Sequence, residues 1–410
     1  MSEPSTLLAK AIHDARPRVV AALAVHCRDL DLAEDAFAES AARCLQLEEP
    51  PDNVGAWLMI AAKRIVVDHI RSRQSETRMI EEAERTSDMT ANVLEFPELI
   101  EDERLRLIFI CCHPAIATEA RVALALKIIC GLPVAEIARV FLKTEPAMFQ
   151  RITRAKQKVA EAGIAFELPE RAAWGERLEA VLLTLELAFT VAYQDAGGER
   201  SQIDGANAGE EVARLAALTA ELLPEEPEVL ALAALIHLAK SRLPARVDEE
   251  GVMVPLSQQD TSLWDYAAIE QARLWLHTAG KLGQTGPYQI MAAIQLTHAR
   301  RGFDGATDWE AILRLYDTLY LMRRTPVVAL NRAVALAKSE GALKGLAALE
   351  EIDPEPLKSM RPYHAARADL LAQMGRKKEA ARAYEEALAL EPPQAERLLL
   401  ERKLARLGEA

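Results

Sequence analysis

The sequence predicts an all-α protein. Ala, Leu and Glu recur along its whole length, β-branched alternating runs are scarce, and apolar residues return at three- and four-residue spacing instead of every second position. Half of the residues are hydrophobic, 27% are charged and only 5% are aromatic, which excludes a mostly disordered, collagen-like or membrane-embedded chain. At roughly 100 to 200 residues per domain, the 410-residue length points to two or three domains.

The elements follow in order. Over residues 5–47 the apolar positions Leu8, Ile12, Val19, Leu23, Leu30, Leu32, Ala36 and Phe37 mark two helices, broken near Asp29-Leu-Asp. After Glu48-Glu-Pro-Pro, Asp52 or Asn53 serves as N-cap for a third helix over 54–73. Its apolar first half passes into Lys63, Arg64, His69, Arg71 and Arg73, so residues 1–75 form a three-helix unit with one basic end. Residues 74–103 are polar and acidic and lack an apolar stripe; we assign 76–103 as a linker. A second helical unit, 104–168, has breaks at His113-Pro, Gly131-Leu-Pro and Leu142-Lys-Thr-Glu-Pro. From 169 to the end an Ala- and Leu-rich helical array is expected, with helices near 174–193, 209–223, 228–240, 264–282, 287–300 and 309–321 before the C-terminal pairs. Residues 243–263 interrupt it, and Gly251, Val252, Val254 and Pro255 suggest a small hairpin or ordered loop.

Two segments near the C-terminus repeat. The run from Pro326 to Gly341 matches the run from Tyr363 to Gly375, and the two glycines lie 34 positions apart, the period of a tetratricopeptide repeat. Such arrays present a concave face to a protein or peptide partner. A plain antiparallel bundle without a ligand fits the same pattern.

No uninterrupted apolar run of about 18 residues exists. The most apolar window, 122–141, contains Lys127, Glu136 and Arg139, so no membrane association is expected. The opening residues do not read as a basic and then apolar leader, so a cytoplasmic location is expected. Five cysteines, all in the first third and without a Cys-x-x-Cys pair, read as reduced thiols. Cys111-Cys112-His113 invites a zinc reading, but adjacent helical cysteines diverge by about 100° and no second ligand pair stands at finger spacing, so core packing is favoured and no metal or other cofactor is expected. No phosphate-loop, nucleophile-elbow or His-Glu-x-x-His motif is present and the eight histidines are scattered, which argues against an enzyme.

The most informative segment is 131–159. A short helix over 134–141, a tight connection and a second helix with Thr144 as N-cap and Pro146 in its first turn form a helix-turn-helix signature. Ile137, Ala138, Phe141, Met148, Ile152 and Ala155 can face inward together, leaving Gln150, Arg151, Arg154, Lys156 and Lys158 outside. Residues at the start of such a helix reach base edges, and long cations further along meet phosphates. A basic amphipathic surface helix would show the same stripe. The net charge of −13 argues against nucleic acid when taken alone, so the local charge carries the reading.

Three motifs in order give this segment its context: Asp29-Leu-Asp-Leu-Ala-Glu-Asp-Ala-Phe-Ala-Glu-Ser-Ala, then Asp52-Asn-Val-Gly-Ala-Trp-Leu-Met-Ile-Ala-Ala-Lys-Arg-Ile-Val-Val-Asp-His-Ile-Arg, then the helix-turn-helix. Together they resemble the extracytoplasmic-function sigma factors of bacterial RNA polymerase. Asp102-Glu-Arg-Leu-Arg-Leu-Ile-Phe-Ile-Cys-Cys-His-Pro-Ala, Arg246-Val-Asp-Glu-Glu-Gly, Gln259-Asp-Thr-Ser-Leu-Trp-Asp, Gly286-Pro-Tyr-Gln and Val328-Ala-Leu-Asn-Arg-Ala-Val-Ala resemble the subgroup with a long C-terminal helical extension, so the likeness spans nearly the whole chain.

The resemblance implies that Asp31, Glu34, Asp35, Phe37 and Glu39 dock on core polymerase, although an acidic helix is also an ordinary solvated face. It implies −10 promoter contacts by Asn53, Trp57, Lys63, Arg64, Arg71 and Arg73, with Trp57 equally suited to the core. It implies −35 contacts by Thr144, Glu145, Ala147, Gln150, Arg151, Arg154, Lys156 and Lys158. The acidic linker corresponds to the family's connector, and plain disorder has the same composition. Ala38 stands where a glutamine is common, Thr261 where an arginine is common, and Phe189-Thr-Val-Ala-Tyr where a polar Asn-Glu-Gly segment is expected, which implies differences in docking and regulation. The function implied is promoter recognition by core polymerase, with the extension modulating it and able to take a protein or peptide partner. The rival reading is a polymerase-independent helix-turn-helix regulator with a repeat-type interaction domain.

Overall fold

The computed structural model describes residues 3–47, 49–81, 102–129, 132–141, 143–161, 174–195, 208–353 and 355–409. Helices dominate these residues, and the fold is all-α; of the hairpin or ordered loop expected over 243–263, the structure has an ordered loop with one isolated antiparallel bridge, Val247 with Met253. No helix among them is long and apolar enough to cross a membrane. The chain divides into two compact units, Met1–Val191 and Ala192–Ala410.

In the first unit α1 (Glu3–Cys27), α2 (Leu30–Leu45) and α3 (Val54–Glu81) pack pairwise against one another, and α4 (Asp102–Cys111) lies on α1. Of Asp52 and Asn53, it is Asn53 that caps α3, and Asp29, where the sequence showed only a break, caps α2. The Asp29 carboxylate accepts from the Asp31 and Leu32 amides at 2.9 and 3.0 Å, and the Asn53 side-chain oxygen accepts from the Ala56 amide at 3.0 Å, satisfying donors that a helix start leaves open. Then follow α5 (Thr118–Ile128), α6 (Val134–Val140), α7 (Glu145–Glu161) and α8 (Trp174–Asp195). Leu23, Leu58, Leu107, Phe109, Leu124 and Leu126 are almost fully buried, each contributing about 1.5–3 kcal/mol through burial.

Two boundaries differ from the sequence reading. Helix α3 continues past Arg73 to Glu81, into the stretch assigned to the linker, because residues 74–81 hold good helix formers and no breaker. Most of the acidic cluster, 82–101, lies outside the described residues. The division between units falls at 191 and not at 169, because α8 is tied to α4: the Trp174 ring lies 5.6 Å from Phe109, and Thr184 hydrogen-bonds the Cys112 thiol. Cys111 and Cys112 are buried in this seam, and burial pushes the Cys112 thiol up to about 12, so it stays protonated at neutral pH.

The second unit runs through α9 (Ala208–Leu222), α10 (Pro227–Lys240), α11 (Tyr266–Lys281), α12 (Pro287–Ala299), the short α13 (Arg301–Asp304), α14 (Trp309–Met322), α15 (Pro326–Glu340), α16 (Ala342–Glu350), α17 (Arg361–Gln373), α18 (Lys377–Ala389) and α19 (Gln394–Glu409). Helices pack mainly on near neighbours in sequence, as in a stacked array. Gly341 (φ 105°) and Gly375 (φ 74°) make the turns between α15 and α16 and between α17 and α18 in a backbone region that glycine tolerates best. Their 34-residue spacing is thus a repeated helix-turn-helix hairpin.

The motifs of this region have structural roles. The Asp248 carboxylate accepts from the Glu250 and Val252 amides at 3.0 and 2.8 Å, closing the turn at Gly251. The Arg301 guanidinium donates to the Leu256 and Gln259 carbonyls at 2.5 and 2.6 Å and stands 5.7 Å from the Trp264 ring, pinning the 243–263 loop. The Glu228 carboxylate caps α12, accepting from the Tyr288 and Gln289 amides at 2.9 and 3.1 Å. Gly286 leaves it room, since a Cβ there would stand 2.2 Å from the Glu228 carboxyl carbon.

Candidate nucleic-acid interface

Helices α6 and α7 form the predicted helix-turn-helix. The Lys143 amide donates to the Ala138 carbonyl at 2.9 Å, closing the end of α6 over the turn, and Thr144 directly precedes α7, its carbonyl accepting from the Met148 amide at 3.0 Å. Met148, Ile152, Ala155 and Val159, at helical spacing, are buried and pack α7 on α5 and α6, with Ile137 and Ala138 buried opposite; Phe141 is half-buried. The inward set matches the sequence reading.

This packing leaves Thr144, Glu145, Ala147, Phe149, Gln150, Arg154, Gln157 and Lys158 exposed. Two of the assigned cations are instead engaged inside the chain. Arg151 forms an ion pair with Glu119 of α5. Lys156, with its side chain only 15% exposed, places Nζ 2.5 Å from Asp31 and 2.8 Å from Glu34, both on α2. Burial works against the Lys156 ammonium, but the charges and hydrogen bonds of Glu34 and Asp31 outweigh it and raise its pKa above the ordinary lysine value.

The acidic helix differs from the exposed face that the sequence suggested. Asp31, Asp35 and Glu39 are exposed, with Glu39 ion-paired to Arg43 one turn on. Glu34 and Phe37 are buried, because they fall on the same side of α2 as Ala33, Ala36, Ser40 and Cys44. Glu34 is a hub: one carboxylate oxygen meets Arg16 of α1 at 2.6 Å and Lys127 of α5 at 3.7 Å, and the other meets Lys156 of α7. The Arg16 guanidinium also stands 5.2 Å from the Phe37 ring. A buried carboxylate requires such partners, and three cations from three helices supply them.

On α3 the buried stripe is Leu58, Met59, Ala62 and Val66. At about 100° per residue, Trp57, Ile60, Arg64 and Arg71 fall together on the opposite face. Trp57 is half-buried, Ile60 is 54% exposed, and Arg64 and Arg71 are exposed beside Asp68. Lys63 is half-buried at the edge of this face, Asn53 caps the helix, and the Arg73 side chain lies outside the described residues. The sequence reading missed two apolar members of these surfaces, Ile60 and Phe149, the latter 61% exposed. Their signal was available: each is an apolar residue off the buried stripe of its own helix.

An amphipathic helix-turn-helix whose second helix presents polar and cationic side chains is built to enter a DNA groove. Residues 106–159, from α4 through α7, match the family Sigma-70, region 4, and residues 177–280 match a family described as of unknown function, DUF6596. Over 388 residues the chain is 41% identical to Uncharacterized protein R00370 of Rhizobium meliloti (strain 1021), a span of 93% of this chain and 91% of that one. The chain belongs to the same family as that protein and carries a sigma-70 region 4 domain, the mark of a sigma-factor type of DNA-binding protein.

Proposed function

We propose that the protein is an extracytoplasmic-function sigma factor of the subgroup with a repeat-type C-terminal extension, a non-catalytic, cytoplasmic subunit that directs core RNA polymerase to its promoters. The observation that carries the reading is the exposed face of α7, where Gln150 lies near the helix start and Arg154 and Lys158 follow, on a helix-turn-helix inside the region 4 match. In this reading Glu145, Ala147 and Gln150 face −35 bases, Arg154 and Lys158 neutralise phosphates, and Phe149 adds an apolar surface of the kind that packs on a thymine methyl.

The Trp57, Ile60, Arg64 and Arg71 face of α3 is the −10 surface, because aromatic and apolar groups interleaved with cations suit an unstacked strand. The exposed carboxylates Asp31, Asp35 and Glu39 on α2 are the polymerase contacts. The C-terminal array is tetratricopeptide-like and modulates activity through a protein or peptide. Supporting this, α15, α17 and α19 line a cavity of about 340 Å³ with Val334, Ala366, Leu370 and Leu400 inside and Lys338 and Lys403 among its walls.

The test is run-off transcription with purified bacterial core polymerase across a promoter library, comparing the intact chain with Arg154→Ala plus Lys158→Ala. Promoter-specific transcripts that fall at least tenfold in the double variant are expected. Absence of transcripts, together with tight promoter binding by the chain alone, would sink the reading in favour of a polymerase-independent regulator.

A further inference from the structure

We propose that the C-terminal array holds a binding site for a small amphipathic carboxylate, its apolar body in the cavity lined by α15, α17 and α19 and its anionic head at Lys403 and Arg406. The inference concerns this site alone and goes beyond the sigma reading, so it holds whichever surfaces of the chain meet polymerase.

Two adjoining hollows make the site. The first, about 340 Å³, has the size of a small-molecule pocket, with Val334, Ala337, Ala366, Leu370, Leu399 and Leu400 in its walls. The second, about 190 Å³, is lined by α19 and the loop over 248–258 and carries Arg402, Lys403 and Arg406. Met253, Pro255, Leu399 and Lys403 line both, so the apolar chamber continues into a cationic mouth. Leu399, Lys403 and Arg406 follow at four- and three-residue spacing on α19, which sets them along one face of that helix. The loop is fastened to the start of the same helix, where the Met253 amide donates to the Ala395 carbonyl at 3.0 Å.

The charges of the site divide into engaged and available ones. Arg402 is held by Asp248 and Glu250, and Glu396 faces Arg361 at 3.4 Å. Lys403 donates to both oxygens of Asp369 at 2.7 and 2.8 Å, and the buried Tyr384 hydroxyl donates to the same carboxylate at 2.5 Å. Burial and the Asp369 charge raise the Tyr384 pKa, so that hydroxyl keeps its proton. Asp369 is therefore neutralised within the array, and it fixes the Lys403 ammonium at the junction of the two hollows with a third N–H to give. Lys338 and Arg406, exposed where they line the hollows, have no carboxylate partner among the described residues. Cations gathered beside an apolar chamber, in a chain whose net charge is −13, complement one negative head on a hydrocarbon or aromatic body. A neutral ligand leaves the mouth unused, and a ligand charged at both ends sets its second anion against Glu396 in the chamber wall.

The test is isothermal titration calorimetry of the full chain with decanoate, decan-1-ol, acetate and a blocked acidic peptide that has one central leucine. Decanoate is expected to bind at one site per chain, roughly tenfold or more tighter than decan-1-ol or acetate. Arg406→Ala is expected to weaken decanoate about fivefold and to leave decan-1-ol unchanged. Ala366→Phe, which fills the chamber, is expected to remove binding of both. Lack of saturable decanoate binding, equal affinity for decanoate and decan-1-ol, or full decanoate binding by Ala366→Phe each overturns the proposal. Peptide binding tighter than decanoate, and lost in Ala366→Phe, overturns it in favour of a peptide groove. Melting followed by circular dichroism shows that each variant is folded, and Val334→Phe fills the same chamber if Ala366→Phe is not.

Discussion

At the scale of single residues, environment decides what a charge does. Glu34 and Asp35 are neighbours of the same chemical type on one helix, yet Glu34 sits among three cations and Asp35 faces solvent. His298 shows the same principle through protonation. It is buried beside the Trp309 ring, 5.2 Å away, and burial with the nearby Arg242 charge lowers its pKa to about 4. The unfolded chain takes up this proton near 6.5, so the folded state loses stability as pH falls through the window from about 6.5 to 4. The loss approaches about 3 kcal/mol at the lower end. Denaturation by urea at pH 7 and pH 4.5, followed by tryptophan fluorescence, is expected to show a smaller pH dependence in His298→Gln than in the parent. Equal dependence in both would exclude His298 as the cause.

At the scale of elements, long-range caps hold helices in place. The start of α12 is satisfied by Glu228 of α10, some sixty residues earlier, and Gly286 is the space that this carboxylate occupies. An added methyl at 286 displaces the flexible end of Glu228 and so removes both amide bonds without straining the backbone. We expect Gly286→Ala and Glu228→Ala each to destabilise the second unit by about 1–3 kcal/mol. The double variant is expected to cost little more than either alone, because both remove the same cap. Additive losses in thermal or urea unfolding would show that the two residues act separately. On α7 the helical period was legible in sequence, because Met148, Ile152, Ala155 and Val159 alone account for its buried stripe. The commitments of Arg151 and Lys156 were not, because Glu119 and Asp31 come from distant segments.

At the scale of the whole molecule, the division into units sets where the chain can be cut. Most of α8 belongs to Met1–Val191, and its Trp174 and Thr184 complete the seam around Phe109 and Cys112. A truncation at 169 therefore exposes a core surface, whereas one after Asp195 retains it. We expect the chain ending at Asp195 to stay monomeric and folded by circular dichroism and light scattering, and the chain ending at residue 169 to aggregate or melt lower. If the extension modulates initiation, run-off output from the chain ending at Asp195 differs from that of the full chain at the same promoter; equal output removes the regulatory role.

Sequence alone determined the helical class, the break before α2 and the capped start of α3, the helix-turn-helix with its inward set, and the 34-residue repeat marked by Gly341 and Gly375. These are local or periodic properties, written in side-chain spacing and in residues that suit one backbone conformation. Tertiary structure decided the burial of Glu34 and Phe37, the capture of Lys156 by α2, the membership of α8 in the first unit and the pairing of Glu228 with Gly286. Each of these joins residues far apart in sequence. A charge carries no mark of the partner it will meet, so only the packing of the helices assigns one.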